Sequence, residues 1–345
     1  MGKKLFDYVI GNPPYQEETE SESTRKPPIY NLFMEESYKV ADKVELIHPA
    51  RFLFNAGYTP KAWNEKMLND EHFKVLKYEP VSEKIFPNMD IKGGVAITYH
   101  DNTASYEPIG IFTQFPELNS LLNKVKSGII SDEAYLNSIT FPALSYKLSD
   151  LMKTENPDML DRLRTSAFEK LAEIFFEEIP DNGHEYVQMI GLLDAKRTYR
   201  YVRRDYLKTP ANFEHYKIIL PASNGSGALG EVLSTPLIGQ PLIGQPLIGH
   251  TQTFISIGNF ETEQEAQACL KYIKSKFARV MLGILKITQH NPPEKWKYVP
   301  LQDFTSSSDI DWSVSIPEID RQLYAKYGLD ESEIEFNETH VKEMA

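Results

Sequence analysis

Cysteine is nearly missing from this sequence: Cys269 is the single one in 345 residues. A lone thiol excludes an intrachain disulfide and any cysteine-based zinc site. Long apolar runs are missing too, and none approaches the ~18 residues that a membrane-spanning helix needs. The opening MGKKLFDYVIG has too short an apolar stretch for a secretory signal and no small-residue cleavage site. A cytoplasmic chain without membrane contact is therefore expected. Positive charge is in deficit, 37 Lys and Arg against 49 Asp and Glu, a net −12. That balance argues against a protein that coats nucleic acid nonspecifically. The deficit is uneven, however. Residues 309–345 hold ten acids and three bases, whereas residues 185–220 hold seven bases and four acids. A local DNA-binding face thus stays open. The eight histidines show no ligand spacing, so no metal site is expected.

What is present is ordinary for a folded chain: 41% hydrophobic and 25% charged residues, at a length that suits two domains. LFDYVI (5–10) is an apolar β-rich run ending in Gly11 and a Pro-Pro pair, a strand entering a rigid loop. EETESESTRK (17–26) is polar without periodicity and reads as a mobile loop. Helical spacing over 30–41, a strand in VELIHPARFLF (44–54) stopped by Pro49, a helix near 60–69 and strands near 73–78 and 94–99 follow. That alternation predicts an α/β fold with a mostly parallel sheet over residues 1–105. From 106 to 345 the pattern becomes irregular. Helices are expected over 115–126 and 158–178, two more near 262–287 and one near 317–327, with strands near 197–203, 216–220 and 254–258.

The chemistry centres on Asn12-Pro13-Pro14-Tyr15, directly after a predicted strand. Two prolines lock the backbone, so the Asn12 side chain and the neighbouring carbonyls point in fixed directions. Rigid acceptors beside an aromatic suit an exocyclic amino group on a planar base. Asn12 Oδ1 and the Pro13 carbonyl would accept from the amine and favour the positive charge that develops as its nitrogen attacks a methyl sulfonium. Tyr15 would stack on a base that has left the duplex. A bare NPP is only a turn, and Asn291-Pro292-Pro293-Glu294, with neither strand nor aromatic, reads as one.

DYVIGNPPYQ (7–16) resembles motif IV of the adenine-specific DNA methyltransferases of restriction–modification systems, in the gamma-type arrangement with recognition domain after catalytic domain. VELIHPARFL (44–53) resembles the next core strand of that fold. KIFPNMDIKGGVAIT (84–98) is similar to the later segment whose phenylalanine contacts the flipped adenine, here Phe86. Residues 289–304 (QHNPPEKWKYVPLQDF) resemble the end of the recognition domain in combined restriction–methylation enzymes. The resemblance implies the back half of a Rossmann-like S-adenosylmethionine-dependent sheet over 1–105, followed by a mixed α+β target recognition domain over 106–345. It also implies double-stranded DNA as partner and methyl transfer to the exocyclic nitrogen of adenine.

One departure matters. In that family the glycine-rich cofactor loop precedes NPPY, whereas here eleven residues precede Asn12. Gly225-Ser-Gly-Ala-Leu-Gly230 satisfies GxGxxG after a strand, but Pro236 breaks any following helix, so it fails as a dinucleotide-type loop. Gly225 and Gly227 read better as backbone-exposing positions at a DNA surface. The isolated chain is expected to need a partner, a separate N-terminal methyltransferase fragment or a restriction subunit, and to bind S-adenosylmethionine weakly alone.

Three other segments carry alternatives. In Lys196-Arg197-Thr-Tyr199-Arg200-Tyr201-Val-Arg203-Arg204 the bases alternate with aromatics. It is either a DNA-contacting strand or a solvated edge strand with protective charge. Pro180-Asp181 and Asp194-Ala195-Lys196 meet the loose spacing of a magnesium-dependent nuclease, though Pro180-Asp181-Asn182-Gly183 also reads as a turn. A catalytically dead DNA-binding remnant is the non-enzymatic alternative. The tandem PLIGQ-PLIGQ-PLIGH (236–250) predicts a loop of stacked turns, either a neutral length variation or an adjustable spacer in a recognition surface.

Overall fold

The computed structural model describes residues 4–16, 27–55, 58–89, 91, 93–106, 108–128, 134–159, 162–286 and 288–344. The 17–26 segment, expected to be a loop, lies outside them. The chain divides into two compact units, Met1–Asn119 and Ser120–Ala345.

Unit 1 holds β1 (Phe6–Gly11), α1 (Tyr30–Val40), β2 (Ala41–Pro49), α2 (Lys61–Leu68), β3 (Phe73–Glu79) and β4 (Val95–Asp101). The division between units falls within α3 (Pro116–Ser127). The sheet order is β1-β2-β4-β3. β1 and β2 run parallel, while β4 is antiparallel to both β2 and β3. The expected mostly parallel sheet is therefore mixed. Its cause lies in β3 and β4, consecutive strands that pair antiparallel instead of being joined by a crossover helix. Gly94 makes that return possible at φ +75°, where a Cβ would sit 2.5 Å from the Glu79 carbonyl oxygen.

Alternation decides the burial. Val44, Leu46 and Ala96 face Tyr30 and Met34 of α1 and Trp63 and Met67 of α2, making one core with Phe52 and Phe73. Each such side chain fully buried contributes roughly 1.5–3 kcal/mol. The opposite face stays bare along β1: Phe6, Tyr8 and Ile10 are 57%, 55% and 75% exposed.

Unit 2 continues with β5 (Thr140–Phe141), β6 (Lys147–Leu148), α4 (Asp150–Glu155), α5 (Ala167–Lys170), β7 (Tyr186–Leu193), β8 (Lys196–Arg203), β9 (Leu207–Lys208), β10 (Tyr216–Pro221), β11 (Leu242–Gly244), β12 (Ile248–His250) and β13 (Phe254–Phe260). Helices α6 (Glu263–Lys274), α7 (Lys276–Gly283), α8 (Ile316–Lys326) and α9 (Glu331–His340) complete it. Strands order as β11-β10-β13-β5, β12-β7-β8 and β6-β9. The expected helix over 158–178 shrinks to α5 and a short 3₁₀ turn. There Phe176 leaves helical geometry to exchange two 2.8 Å backbone hydrogen bonds with Tyr201 of β8, so tertiary pairing overrides the apolar spacing. Helices α6 and α9 each open on a capping box, Thr262 with Glu265 and Asp330 with Glu333.

The PLIGQ repeat is not a stack of turns. Its first unit is a turn closed by a Thr235–Gly239 bridge. The second supplies β11 against β10, and the third supplies β12 parallel to β7. The second and third units thus cover strand edges of β10 and β7 that would otherwise be open. Gly244 lets β11 approach closely, because a Cβ there would lie 2.6 Å from Ile219 Cδ1. Deleting residues 236–245 is accordingly expected to destabilise unit 2 by about 2 kcal/mol or more, from missing ladder hydrogen bonds and uncovered apolar surface. Thermal melting checks this, and an unchanged midpoint would return the segment to a neutral spacer.

Candidate functional site

Parallel β1 and β2 end at the same edge of their sheet, and the Asn12–Tyr15 loop leaves from that edge. Asn12 and Pro14 are exposed, Pro13 is buried and Tyr15 is half-buried. The loop is anchored where Ile29 N donates to the Tyr15 carbonyl at 3.2 Å and Gln16 bridges to Pro28. The Tyr15 hydroxyl is buried beside the Asn12 side chain but outside good hydrogen-bonding geometry, and burial pushes its pKa up.

Phe86 reaches the same place from the β3–β4 connection. Its ring centroid lies 6.5 Å from that of Tyr15, edge to face at 66°. Ser82 holds the turn that presents it. Phe86 N donates to the Ser82 carbonyl at 2.8 Å, Ser82 Oγ donates to the Met89 carbonyl at 2.7 Å, and Ile91 N donates to Ser82 Oγ at 2.8 Å. The two aromatics expected to bracket a base thus meet across 71 positions of sequence. Val81 and Met89, in the same connection, are also exposed, and no periodicity in the sequence marks them.

Beneath the loop the polar groups are spent internally. His48 is fully buried, sharing a 2.7 Å hydrogen bond with Thr98 Oγ1 and lying 3.1 Å from the Pro49 carbonyl. Burial holds its pKa at about 4, so it stays neutral at pH 7. Tyr30 stacks on it at 5.6 Å, and burial pushes the Tyr30 hydroxyl up to about 12. Arg51, in the 3₁₀ turn after β2, lies close against Gly93, whose Cβ would sit 2.7 Å from Arg51 Cγ. Neither His48 nor Tyr30 is available as a general base.

In unit 2 the β7–β8 hairpin turns at Asp194 and Ala195, both at positive φ (50° and 58°), the signature of a tight two-residue turn. Asp181 lies before the start of β7 and Asp194 after its end, roughly 25 Å of extended strand apart. The nuclease spacing is therefore not assembled by these residues. Among the described residues no group of three potential ligands could hold a metal ion.

On β8, Lys196 and Tyr199 are exposed. The arginines are already engaged. Arg200 pairs with Glu177 at 2.6 Å, Arg203 with Asp205 and Glu155 at 2.7 and 2.8 Å, and Arg204 with Glu185 at 2.7 Å and also with Glu214. Arg197 donates to the Gln240 carbonyl at 2.7 Å and lies 5.8 Å from the Phe254 ring centroid, its Nε buried without a partner among the described residues.

The Gly225–Gly230 loop is also filled. Glu231 accepts from Ser226 N and Oγ at 2.8 Å each and from Gly227 N at 2.9 Å, with Lys286 3.6 Å away. Burial alone would raise the Glu231 pKa, but these donors hold it at about 2. A Cβ on Gly225 would collide with that carboxylate. The residues that satisfy GxGxxG therefore do not fit S-adenosylmethionine, and no cradle for it is built by the described residues around Asn12. Asn291 of the second NPP is buried and donates to the Pro221 carbonyl and Asn224 Oδ1, a structural turn. Among the described residues no helix is long and apolar enough to cross a membrane.

Residues 1–86 match the family described as the Eco57I restriction-modification methylase. No curated protein matches the chain. Among solved structures it is similar to the type IIG restriction endonuclease BpuSI, at 11% identity over 92% of this chain and 49% of that one, with a TM-score of 0.33. It is also similar to the ATP-dependent type ISP restriction-modification enzyme LlaBIII bound to DNA, at 13% identity over 84% of this chain and 28% of that one, with a TM-score of 0.23. The chain thus spans about half the length of BpuSI. The likeness to the restriction–modification methylases thus rests on the first 86 residues of the chain.

Proposed function

We propose that unit 1 holds an adenine turned out of duplex DNA for methylation at its exocyclic nitrogen, and that unit 2 contributes to recognition of the DNA. The observation that carries this reading is the meeting of Tyr15 and Phe86 beside Asn12 at the strand ends. In open α/β sheets ligands bind outside the carboxyl ends of the strands. Asn12 Oδ1 and the Pro13 carbonyl accept from the amine, and the two rings bracket the base. S-adenosylmethionine is the methyl donor this reading requires. Its cradle is assigned to polypeptide outside these 345 residues, seated against the exposed face and edge of β1.

The base-holding role has a direct test. Tyr15→Ala is expected to weaken binding of the extrahelical base by about 1–3 kcal/mol, the usual contribution of one aromatic stack. Fluorescence of 2-aminopurine placed at the target position reads it. Equal emission with wild type and variant would remove Tyr15 from base holding.

A further inference from the structure

Unit 2 contains a cavity of about 330 Å3 whose lining includes Lys147, Lys153, Arg162 and Lys208, over a floor that includes Leu163 and the buried Tyr146. Lys147 and Lys208 are directly opposite one another in the β6–β9 pair. Like charges in that register are destabilising unless something lies between them. One carboxylate, Asp150, meets Lys208 at 2.6 Å and is itself mostly exposed. Among the described residues no ion pair engages Lys147 or Lys153. Tyr146 is 1% exposed, and its hydroxyl has no hydrogen-bond partner among the described residues. A buried hydroxyl without a partner is costly, and a ligand that accepts from it would offset that cost. In a chain of net charge −12, this concentration of cations around one concavity stands apart. It also contrasts with Arg200, Arg203 and Arg204, which pair with five carboxylates.

We infer that this cavity binds a phosphate group, with Lys147 and Lys153 as its principal charges. Taking the source to be the DNA backbone rests on the function proposed above; a free nucleotide is the other source of the same chemistry. The site moves the expected backbone contact of unit 2 from β8 to the β6–β9 pair and α4.

The test uses the full chain, a fluorescein-labelled duplex followed by anisotropy, and ADP followed by phosphorus NMR line broadening. Lys147→Gln with Lys153→Gln changes two exposed side chains outside the core, and circular dichroism verifies its fold. The double variant is expected to bind duplex roughly tenfold more weakly. Its log affinity against log salt should also flatten by about 2, one unit for each phosphate that is no longer neutralised. If wild type binds ADP but no duplex, and the double variant fails to bind ADP, the phosphate site stands and the DNA reading fails. Duplex binding with unchanged affinity and slope in the double variant overturns the site while leaving the DNA reading intact. Binding of neither probe by wild type also overturns it.

Discussion

Replacing Asn12 by alanine is expected to lower methyl transfer ~10²–10³-fold, the usual effect of removing one hydrogen-bond partner of a developing charge, while DNA affinity stays nearly unchanged. Asn12 is exposed at the end of β1 and followed by buried Pro13, so truncating it removes an acceptor without opening a core cavity. Its neighbours Tyr15 and Phe86 remain to hold the base. The measurement is tritium transfer to duplex DNA in an enzyme reconstituted with its cofactor-binding polypeptide, with anisotropy to follow DNA affinity. Transfer at the wild-type rate would take Asn12 out of the chemistry. Absence of transfer by the wild-type chain with any complement would favour the catalytically dead DNA-binding alternative.

Calorimetry with S-adenosylmethionine is expected to show no micromolar binding to the 345-residue chain, and both binding and methylation should appear once a complementary methyltransferase fragment is added. Two features of the structure argue for this. The GxGxxG segment is clamped onto Glu231 and has no space for a ligand. β1 is the terminal strand of its sheet, parallel to its single neighbour, with Phe6, Tyr8 and Ile10 bare. Parallel sheets are normally covered on both faces, and an exposed apolar edge is a template for pairing. Phe6→Asp with Ile10→Asp should abolish complementation while leaving the α1–α2 face of the sheet intact, because both residues lie on the opposite face. Micromolar affinity of the chain alone would overturn the assignment of the cofactor cradle to a partner.

Local signals decided much of unit 1. The apolar run before Gly11, the Pro49 stop and the spacing over 30–41 match β1, the end of β2 and α1 closely, because each depends on proline geometry or on a periodicity contained in a few residues. The Asn12–Tyr15 constellation was legible for the same reason, since two adjacent prolines restrict their own backbone. Phe86 stands out through resemblance of a segment, not through spacing, and its 6.5 Å approach to Tyr15 depends on how β3, β4 and the Ser82 turn fold back.

In unit 2 the sequence said less, because its elements are short and owe their form to distant partners. The PLIGQ units have the proline and glycine content of turns, yet two of them become strands because β10 and β7 offer them an edge. The basic run of β8 looks available on paper, and Glu155, Glu177 and Glu185 arrive from other parts of the chain to engage it. Lys147 and Lys208, sixty-one positions apart, become neighbours only through the β6–β9 pairing. The sequence by itself determined the residue types, the rigid NPPY loop and the strands and helices with their own periodicity. Only the tertiary structure decided which charges remain uncompensated and which faces stay bare, because both depend on long-range contacts that no local window of sequence contains.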